Sequence, residues 1–439
     1  MDPITVGLVS VVALTLLILL GFHIGIALSL TSFIGIYLAT GQRIDVAGNT
    51  LASTAFNSIA DYVFAVIPLF VLMGLFAMAS GATRELFDAA KSMLGNTRGG
   101  LGIATVAANA VFAAVTGVSV ASAAIFSRLA VPEMNRMNYN HRFSLGIVAS
   151  SALLGMLIPP SVLMIIYALL TDQSIGALFA AGVLPGLLVS FALSLAIYIM
   201  VCLQPALGGH IREGGVDSVG KRLRAIVEPW AIYILIVVAL GGIYGGLFTP
   251  TEAGAVGAIG AFVIYAARGK FSLTETFQLL LETGRATASI FFLFIAASMY
   301  SRMLAVTGLP VAAADWVVGL HLTPILVVLA FVLVMIVMGC FIDSVSILLL
   351  TMPIMVPVVK VLGYDLIWFG IVAIVTIELG LLTPPFGMVV FVMKASLPYK
   401  VDVSEIFIGS FPFFCVLLLV LAILIAFPQV STVLPRLLF

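Results

Sequence analysis

The sequence predicts an all-α polytopic membrane protein, built as an inverted-topology repeat with two re-entrant hairpins and two proline-broken helices. Of its 439 residues, 63% are apolar and 9% are charged, against about 25% charged in an ordinary soluble domain. Uncharged stretches of about 20 residues recur along the chain, and each matches the roughly 30 Å hydrocarbon core of a bilayer at 1.5 Å per helical residue. A Pro-Pro motif also recurs at a fixed spacing, which predicts two related halves.

Hydropathy predicts ten apolar spans and two further apolar stretches. The first span has no Lys or Arg before it and no small-residue cleavage site after it, so we interpret it as a retained helix. The stretch 99–127 is rich in Gly, Ala and Ser and, at 29 residues, is too short for two crossings, which favours a re-entrant hairpin. The stretch 322–359 could cross once, and only the repeat favours a hairpin there. The ten spans lie near residues 4–22, 24–41, 60–80, 143–171, 175–203, 226–245, 250–267, 286–305, 366–396 and 407–428.

The distribution of Lys and Arg predicts the orientation of the chain. If the N-terminus lies outside, fifteen of the nineteen Lys and Arg residues fall in inside loops. Only Arg43, Arg302, Lys360 and Arg436 remain outside. The positive-inside rule therefore predicts that both termini face out.

The two Pro-Pro motifs belong to halves that are related at an offset of 225 residues. GMLIPPS at 155–161 is echoed by GLLTPPF at 380–386, and at the same offset Ser119 pairs with Ser344 and Pro132 with Pro357. Each half then contains five crossings, and an odd number inserts the second half upside down, as in many secondary transporters. We predict a first repeat at 1–204, a cytoplasmic linker at 205–225 and a second repeat at 226–439.

The hairpin tips and the broken helices are the predicted site. Non-helical backbone at membrane depth survives only where protein, water or a bound ion satisfies it. The tips TGVSVAS (116–122) and GCFIDSVS (339–346) offer small residues, hydroxyls and one carboxylate, and the breaks offer carbonyls and half-helix ends. This chemistry suits a hard cation beside a small solute.

Three charged residues are candidates, each with a structural alternative. Asp343 at the second tip is a functional candidate because intramembrane carboxylates usually are, but it could also be paired structurally. Glu378, close to the second break, could serve the site or hydrogen-bond to a neighbouring helix. Arg302 could meet an anionic solute or extend to the membrane interface.

Several other classes of protein are not supported by the sequence. No HExxH motif, paired-aspartate motif or Ser/His dyad is recognisable, so an intramembrane enzyme is not expected. The sequence contains no phosphate-binding loop, so an ATP-driven pump is not expected. It contains no basic run long enough to bind nucleic acid. The three cysteines have no metal-like spacing and are interpreted as packing residues.

Several motifs together resemble one transporter family. TGVSVASAAIF, VPEMNRMNY, ASSALLGMLIPPS, GGLFTPTEAGAVGA, GCFIDSVSILLLTMPIMVPV and ELGLLTPPFG look like the large membrane subunit of tripartite ATP-independent periplasmic (TRAP) transporters. The resemblance implies an elevator-type fold in the bacterial inner membrane, where the outward-facing termini predicted above would be periplasmic. It also implies two partners, a small four-helix membrane subunit, here a separate chain, and a periplasmic solute-binding protein.

Taken residue by residue, the resemblance implies two sodium sites and a substrate site between them. After the second Pro-Pro, many relatives carry Gly-Leu-Asn, whereas Phe386, Gly387, Met388 and Val389 of this chain are apolar, so an asparagine contact to substrate is not carried over. The implied sodium ligands are Thr116, Gly117, Ser119, Gly155 and Ile158 at the first tip and Gly339, Asp343, Ser344, Gly380 and Thr383 at the second. The implied substrate residues are Ser119, Ser122, Pro160, Ser161, Arg302, Asp343, Ser346 and Pro385.

The expected function is therefore sodium-coupled secondary active import of a small organic anion, with Na⁺ as coupling ion and no organic cofactor. A proton-coupled or uncoupled organic-anion transporter, or a channel, is the alternative. Two tips that block the middle of the membrane favour alternating access over a channel. The sequence does not name the solute.

Overall fold

The computed structural model describes residues 2–209 and 224–439, and the regular elements in these ranges are helices. Residues 210–223 of the predicted linker lie outside the described residues. The α-helices run over Pro3–Leu19, Ile24–Ala39, Ile44–Asn57, Val66–Ala79, Ala82–Leu94, Gly100–Thr116, Ser119–Arg136, His141–Ala152, Leu154–Leu157, Val162–Thr171, Ile175–Leu203, Trp230–Tyr244, Pro250–Ala267, Leu273–Thr307, Leu309–Gly319, Pro324–Gly339, Ser344–Val361, Leu366–Gly380, Met388–Ser396, Val403–Ala426 and Gln429–Leu438.

The prediction of an all-helical polytopic membrane protein is confirmed. Within the described ranges, six helices are long and apolar enough to cross a membrane, and a seventh span is formed by His141–Leu157 and Val162–Thr171, which meet at a 41° bend. Three unbroken predicted spans are helices of fewer than 18 residues, short of the roughly 20 that a full crossing needs. These are Pro3–Leu19, Ile24–Ala39 and Trp230–Tyr244, with 17, 16 and 15 residues.

Hairpin 1 consists of Gly100–Thr116 and Ser119–Arg136, and its predicted end at residue 127 is wrong. The second arm continues to Arg136 because Ala130, Val131 and Met134 on one face are fully buried while Arg128 on another face is exposed. The arms contain 17 and 18 residues, so shortness does not distinguish this hairpin from two crossings. The contacts of its tip, described below, are the stronger evidence for a hairpin.

Hairpin 2 consists of Pro324–Gly339 and Ser344–Val361, close to the predicted 322–359. Its arms are joined by residues 340–343.

The two broken spans also follow the prediction. Break 1, residues 158–161, separates Leu154–Leu157 from Val162–Thr171, and break 2, residues 381–387, separates Leu366–Gly380 from Met388–Ser396. Each break contains a cis peptide bond, Pro159-Pro160 and Pro384-Pro385 respectively.

The helices pack in two groups that meet along one contact. The frame comprises Ile24–Ala39, Val66–Ala79, Pro250–Ala267 and Leu273–Thr307, which pack on one another. The hairpin group comprises both hairpins and both broken spans. The groups meet where Val66–Ala79 packs on Gly100–Thr116 and on Val162–Thr171, and where Leu273–Thr307 packs on Ser344–Val361.

One frame helix is much longer than the sequence predicts. Leu273–Thr307 has 35 residues, about 52 Å at 1.5 Å per residue, whereas hydropathy predicts a span at 286–305 only. The extension carries Glu275, Glu282 and Arg285, which hide it from a hydropathy scan. Its start is fixed because the Ser272 side chain accepts a hydrogen bond from the Glu275 N–H at 3.5 Å.

A glycine contact joins the first broken span to the helix Val403–Ala426. A Cβ atom on Gly146 would lie 1.9 Å from the carbonyl oxygen of Gly409 and 2.9 Å from the nitrogen of Ser410. Because these are backbone atoms, they cannot move aside as a flexible side chain would. The two helices therefore touch through their backbones.

We predict that Gly146→Ala lowers the thermal midpoint of the purified protein, since overpacking costs about 1–3 kcal/mol. The matched control is Gly284→Ala, which places a methyl group where no other heavy atom lies within 4 Å. Thermal unfolding of both variants in the same detergent would test this. Equal midpoints for the two variants would contradict the backbone contact.

Candidate ion and solute site

The tip of hairpin 1 sits on break 1 through backbone contacts. A Cβ on Gly117, whose φ is +64°, would lie 2.4 Å from the carbonyl oxygen of Pro160, and a Cβ on Gly155 would lie 2.9 Å from the nitrogen of Ser119. The N–H of Val162 donates to the Gly117 carbonyl at 3.3 Å. Only glycine permits this approach, so the structure brings the predicted residues of the first tip and break together.

Two predicted hydroxyls at the first tip are occupied by the helices themselves. The Ser161 hydroxyl donates to the carbonyl of Met156 at 2.5 Å and accepts from the N–H of Met164 at 3.4 Å, so it links the two halves of the broken span. The Thr116 hydroxyl donates to the carbonyl of Phe112 at 3.2 Å. Both residues are buried.

The tip of hairpin 2 meets break 2 in a similar way. A Cβ on Gly339 would lie 2.5 Å from the Cα of Gly380, so these two predicted residues touch. The N–H of Thr383 donates to the Gly380 carbonyl at 2.9 Å. Asp343 caps the second arm, because its carboxylate accepts from the N–H of Ser346 at 3.1 Å and from the Ser346 hydroxyl at 2.5 Å. Asp343 is therefore paired within its own hairpin, which is the structural alternative given in the sequence analysis.

Glu378 joins the two tips. Its carboxylate accepts a hydrogen bond from the hydroxyl of Ser119 at 2.5 Å on one oxygen and from the hydroxyl of Ser344 at 2.9 Å on the other. The Glu378 side chain is 2% exposed, and it has no Lys, Arg or His partner in residues 2–209 and 224–439. Ser119 and Ser344 are the pair matched by the 225-residue offset. A single carboxylate therefore binds equivalent serines of the two predicted repeats.

Ser122 is buried beside this bridge without a partner. It lies one helical turn after Ser119, and its hydroxyl has no hydrogen-bond partner among the described residues. Ser122 does not line the cavities described below, whereas its neighbours Val120, Ala121 and Ala124 line one of them. The Ser119 and Ser122 side chains thus face the interior of the hairpin group.

A cavity of about 830 Å³ opens between the frame and the hairpin group on the predicted outer side. Among the described residues that line it, Arg302 is the only basic one, and Arg302 also lines an adjoining cavity of about 460 Å³. The Arg302 side chain has no ion pair within the described part of the chain. The residues with polar side chains in the lining of the larger cavity are Thr54, Asn57, Ser58, Asp61, Tyr62, Asp172, Gln173, Ser174, Thr249, Thr251, Ser298, Ser301 and Arg302.

The structure separates Arg302 from the other predicted substrate residues. Neither outer cavity is lined by residues of the two hairpin tips. Arg302 lies near the end of Leu273–Thr307, whereas the tips lie inside the hairpin group. The substrate role of Arg302 stays a prediction, and its place in the structure is the outer cavity. The polar run Thr54, Asn57, Ser58 and Asp61 before the third span is a sequence signal for this cavity that hydropathy does not reveal.

A third cavity, of about 480 Å³, lies against the first tip. It lies on the other side of the contact between the frame and the hairpin group from the two outer cavities. It is lined by Thr116 and Val118 from the tip, Met156 and Val162 from the broken span, and frame residues that include Glu282. Most of the lining is apolar. A solute at this tip would therefore meet backbone groups and hydroxyls rather than basic side chains.

Break 2 differs from break 1 in its exposure. Pro385 and Phe386 are exposed, whereas Pro160 and Ser161 at the same positions of the first repeat are buried. Phe386 packs near Phe341 at the second tip, with ring centroids 6.0 Å apart. The two predicted sites are therefore chemically unequal.

The chain is similar to known transporters over nearly its whole length. Residues 11–430 match the family model described as "Tripartite ATP-independent periplasmic transporter, DctM component". The C4-dicarboxylate TRAP transporter large permease protein DctM of Pseudomonas aeruginosa is 37% identical over 88% of this chain and 89% of its own. The sialic acid TRAP transporter large permease protein SiaM of Vibrio cholerae is 30% identical over 96% of each chain.

Two solved transporters have a similar fold. MtrF of Neisseria gonorrhoeae, described as one of a class of antimetabolite efflux pumps, aligns with a TM-score of 0.61 at 13% identity, over 97% of this chain and 95% of its own. The YdaH transporter of Alcanivorax borkumensis aligns with a TM-score of 0.58 at 14% identity, over 87% and 89%. At these identities the likeness concerns the fold alone.

Proposed function

Because the chain belongs to the family of DctM components of TRAP transporters, we propose that it uses a sodium gradient to import a small organic anion. Membership in this family indicates that the chain is a multi-pass inner-membrane subunit of a solute transporter rather than an enzyme. The observation that carries the proposal is the seating of two hairpin tips on two broken spans, with Glu378 joining them. Tip and break supply the non-helical backbone that ion-coupled transporters place at membrane depth.

Sodium is the coupling ion that best suits the donor atoms at the tips. The groups that meet there are backbone carbonyls, serine and threonine hydroxyls and two carboxylates, all of which are oxygen donors. No group of three or more His, Cys, Asp or Glu residues that could hold a metal occurs among the described residues. Oxygen donors without nitrogen or sulfur suit a hard cation rather than a transition metal.

The proposed solute carries a carboxylate, and Arg302 would meet it first. The two relatives named above transport a C4-dicarboxylate and sialic acid, and both compounds are carboxylic acids. An arginine guanidinium binds a carboxylate through two parallel hydrogen bonds. Arg302 has no ion pair in the described ranges and is the one basic group in a described lining of hydroxyls, amides and the carboxylates of Asp61 and Asp172, so it suits such a contact in the outer cavity.

The proposed movement carries the hairpin group along the frame, as in an elevator. The cavities of about 830 and 480 Å³ lie between these two groups, one on the predicted outer side and one against the first tip. Movement of one packed group past another would open one cavity while it closes the other. The proton-coupled, uncoupled and channel alternatives would not require this linkage to sodium.

The proposed partners are those that a tripartite system requires. A periplasmic solute-binding protein would deliver the anion to the outer cavity, and a separate small four-helix membrane subunit would pack against the membrane-exposed part of this chain. In this arrangement both termini are periplasmic, as the positive-inside rule predicts.

A sodium gradient should drive accumulation of the solute in liposomes that contain the chain and both partners. The measurement is uptake of the labelled ligand of the binding protein, with an inward gradient of either Na⁺ or K⁺. Accumulation with Na⁺ alone is expected. Accumulation that follows a proton gradient, or equilibration without any gradient, would contradict sodium coupling.

Ser119→Ala and Ser344→Ala should each raise the sodium concentration that gives half-maximal uptake. Loss of one hydroxyl costs about 1.4 kcal/mol, which corresponds to a change of about tenfold. Ser404→Ala, at an exposed serine, is the matched control. An unchanged sodium dependence in both tip variants would remove these serines from the site.

Arg302→Gln should raise the KM for the solute more than it lowers kcat, because the proposed contact acts at entry. Arg302→Lys keeps the charge but loses the paired hydrogen bonds, so an intermediate KM is expected. The control is Lys360→Gln, at an exposed basic residue predicted on the same side. If Arg302→Gln and Lys360→Gln have the same KM, Arg302 has no special role in entry.

A further inference from the structure

The second broken span carries a charged residue that has no counterpart in the first. At the 225-residue offset, the position that corresponds to Glu378 is Leu153, which is also buried. The two serines, by contrast, are present in both halves. The predicted repeat therefore does not require a carboxylate at this position. Only the second repeat has one among the described residues at this matched position, and this carboxylate, Glu378, contacts both hairpin tips.

The carboxyl group of Glu378 is bound from two sides by hydroxyls of the two hairpins. Ser119 and Ser344 are the first residues of the second arms of the two hairpins, Ser119–Arg136 and Ser344–Val361. The N-terminus of a helix carries a partial positive charge and stabilises an anion. Two such ends and two hydroxyl donors therefore converge on this one side chain.

The same carboxylate lies next to both predicted ion sites. Gly380, two residues after Glu378, touches Gly339 of the second tip, and Ser119 touches Gly155 of the first break. Each tip therefore brings one of the two serines to the carboxylate. A tip that moves away leaves a buried oxygen of Glu378 without a donor, and an unsatisfied buried charged group is costly.

We propose that Glu378 is a positioning residue that couples the two hairpin tips, so that ordering one tip by Na⁺ favours the ordering of the other. This inference rests on the proposed function, since Na⁺ is taken as the ion at both tips. Coupling of this kind changes the affinity of the second site by a factor of about 5 to 150. Sodium dependence of uptake should therefore be cooperative in the wild type.

The test compares sodium dependence of uptake for two substitutions of Glu378 in the chain reconstituted with its partners. Glu378→Gln removes the charge at nearly constant shape. Glu378→Asp keeps the charge but shortens the side chain by one methylene, so that it reaches one serine only. In both variants the Hill coefficient for Na⁺ should fall to 1. The half-saturating sodium concentration should rise about 2- to 12-fold, the square root of the coupling factor.

The control is Glu228→Gln, at an exposed carboxylate, which should keep the cooperativity of the wild type. A lower thermal midpoint in Glu378→Gln and Glu378→Asp with an unchanged Hill coefficient would overturn the proposal, because Glu378 would then only stabilise the fold. Cooperativity that survives in Glu378→Asp alone would also overturn it, since charge without the bridge would suffice. If either of these two results is found while wild-type uptake still depends on sodium, the coupling role of Glu378 is overturned and the proposed function stands. Wild-type uptake that does not depend on sodium contradicts both the proposed function and the coupling role of Glu378.

Discussion

The structure depends on one constraint, that polar backbone at membrane depth must be satisfied inside the protein. Both hairpin tips and both helix breaks interrupt helical hydrogen bonding, and each tip is placed against a break. Gly117 against Pro160 and Gly339 against Gly380 allow backbone to approach backbone. Ser161 then closes the first break with its own hydroxyl. The glycines and the small polar residues of the tips are consequences of this constraint.

The two halves satisfy the constraint differently. The first tip turns within two residues, because Gly117 adopts a positive φ, whereas the second tip uses residues 340–343 and an aspartate cap. The first break is buried, and the second presents exposed Phe386. A predicted repeat of glycine, serine and proline positions thus holds two unequal sites. Coupling between unequal sites requires a group that contacts both, and Glu378 is placed to provide it.

Features that depend on local composition could be predicted from the sequence. The length of the apolar stretches predicted most spans. The paired prolines predicted both helix breaks, and the clusters of glycine and serine predicted both hairpin tips. Hydropathy misplaced the end of hairpin 1 because charged residues on one face of that helix mask burial of the other. It misplaced the start of Leu273–Thr307 because the first turns of that helix are mostly exposed and carry Glu275, Glu282 and Arg285. The bridge through Glu378 could not be predicted, since its donors lie 259 and 34 residues away in sequence. Likewise, only the fold separates Arg302 from the tips.

The positions of Arg302 and Glu378 suggest a division of labour between the two groups of helices. The frame holds the only basic residue of the outer cavities, so attraction of an anion belongs to the part that would stay still. The hairpin group holds the Glu378 carboxyl group on its own serines, so this polar group would move without exchanging partners across the contact. A charge that crossed this contact would need a new partner at every step, at a desolvation cost of several kcal/mol. Keeping the charge inside one packed group removes that barrier, and the apolar cavity lining beside the first tip fits the same requirement.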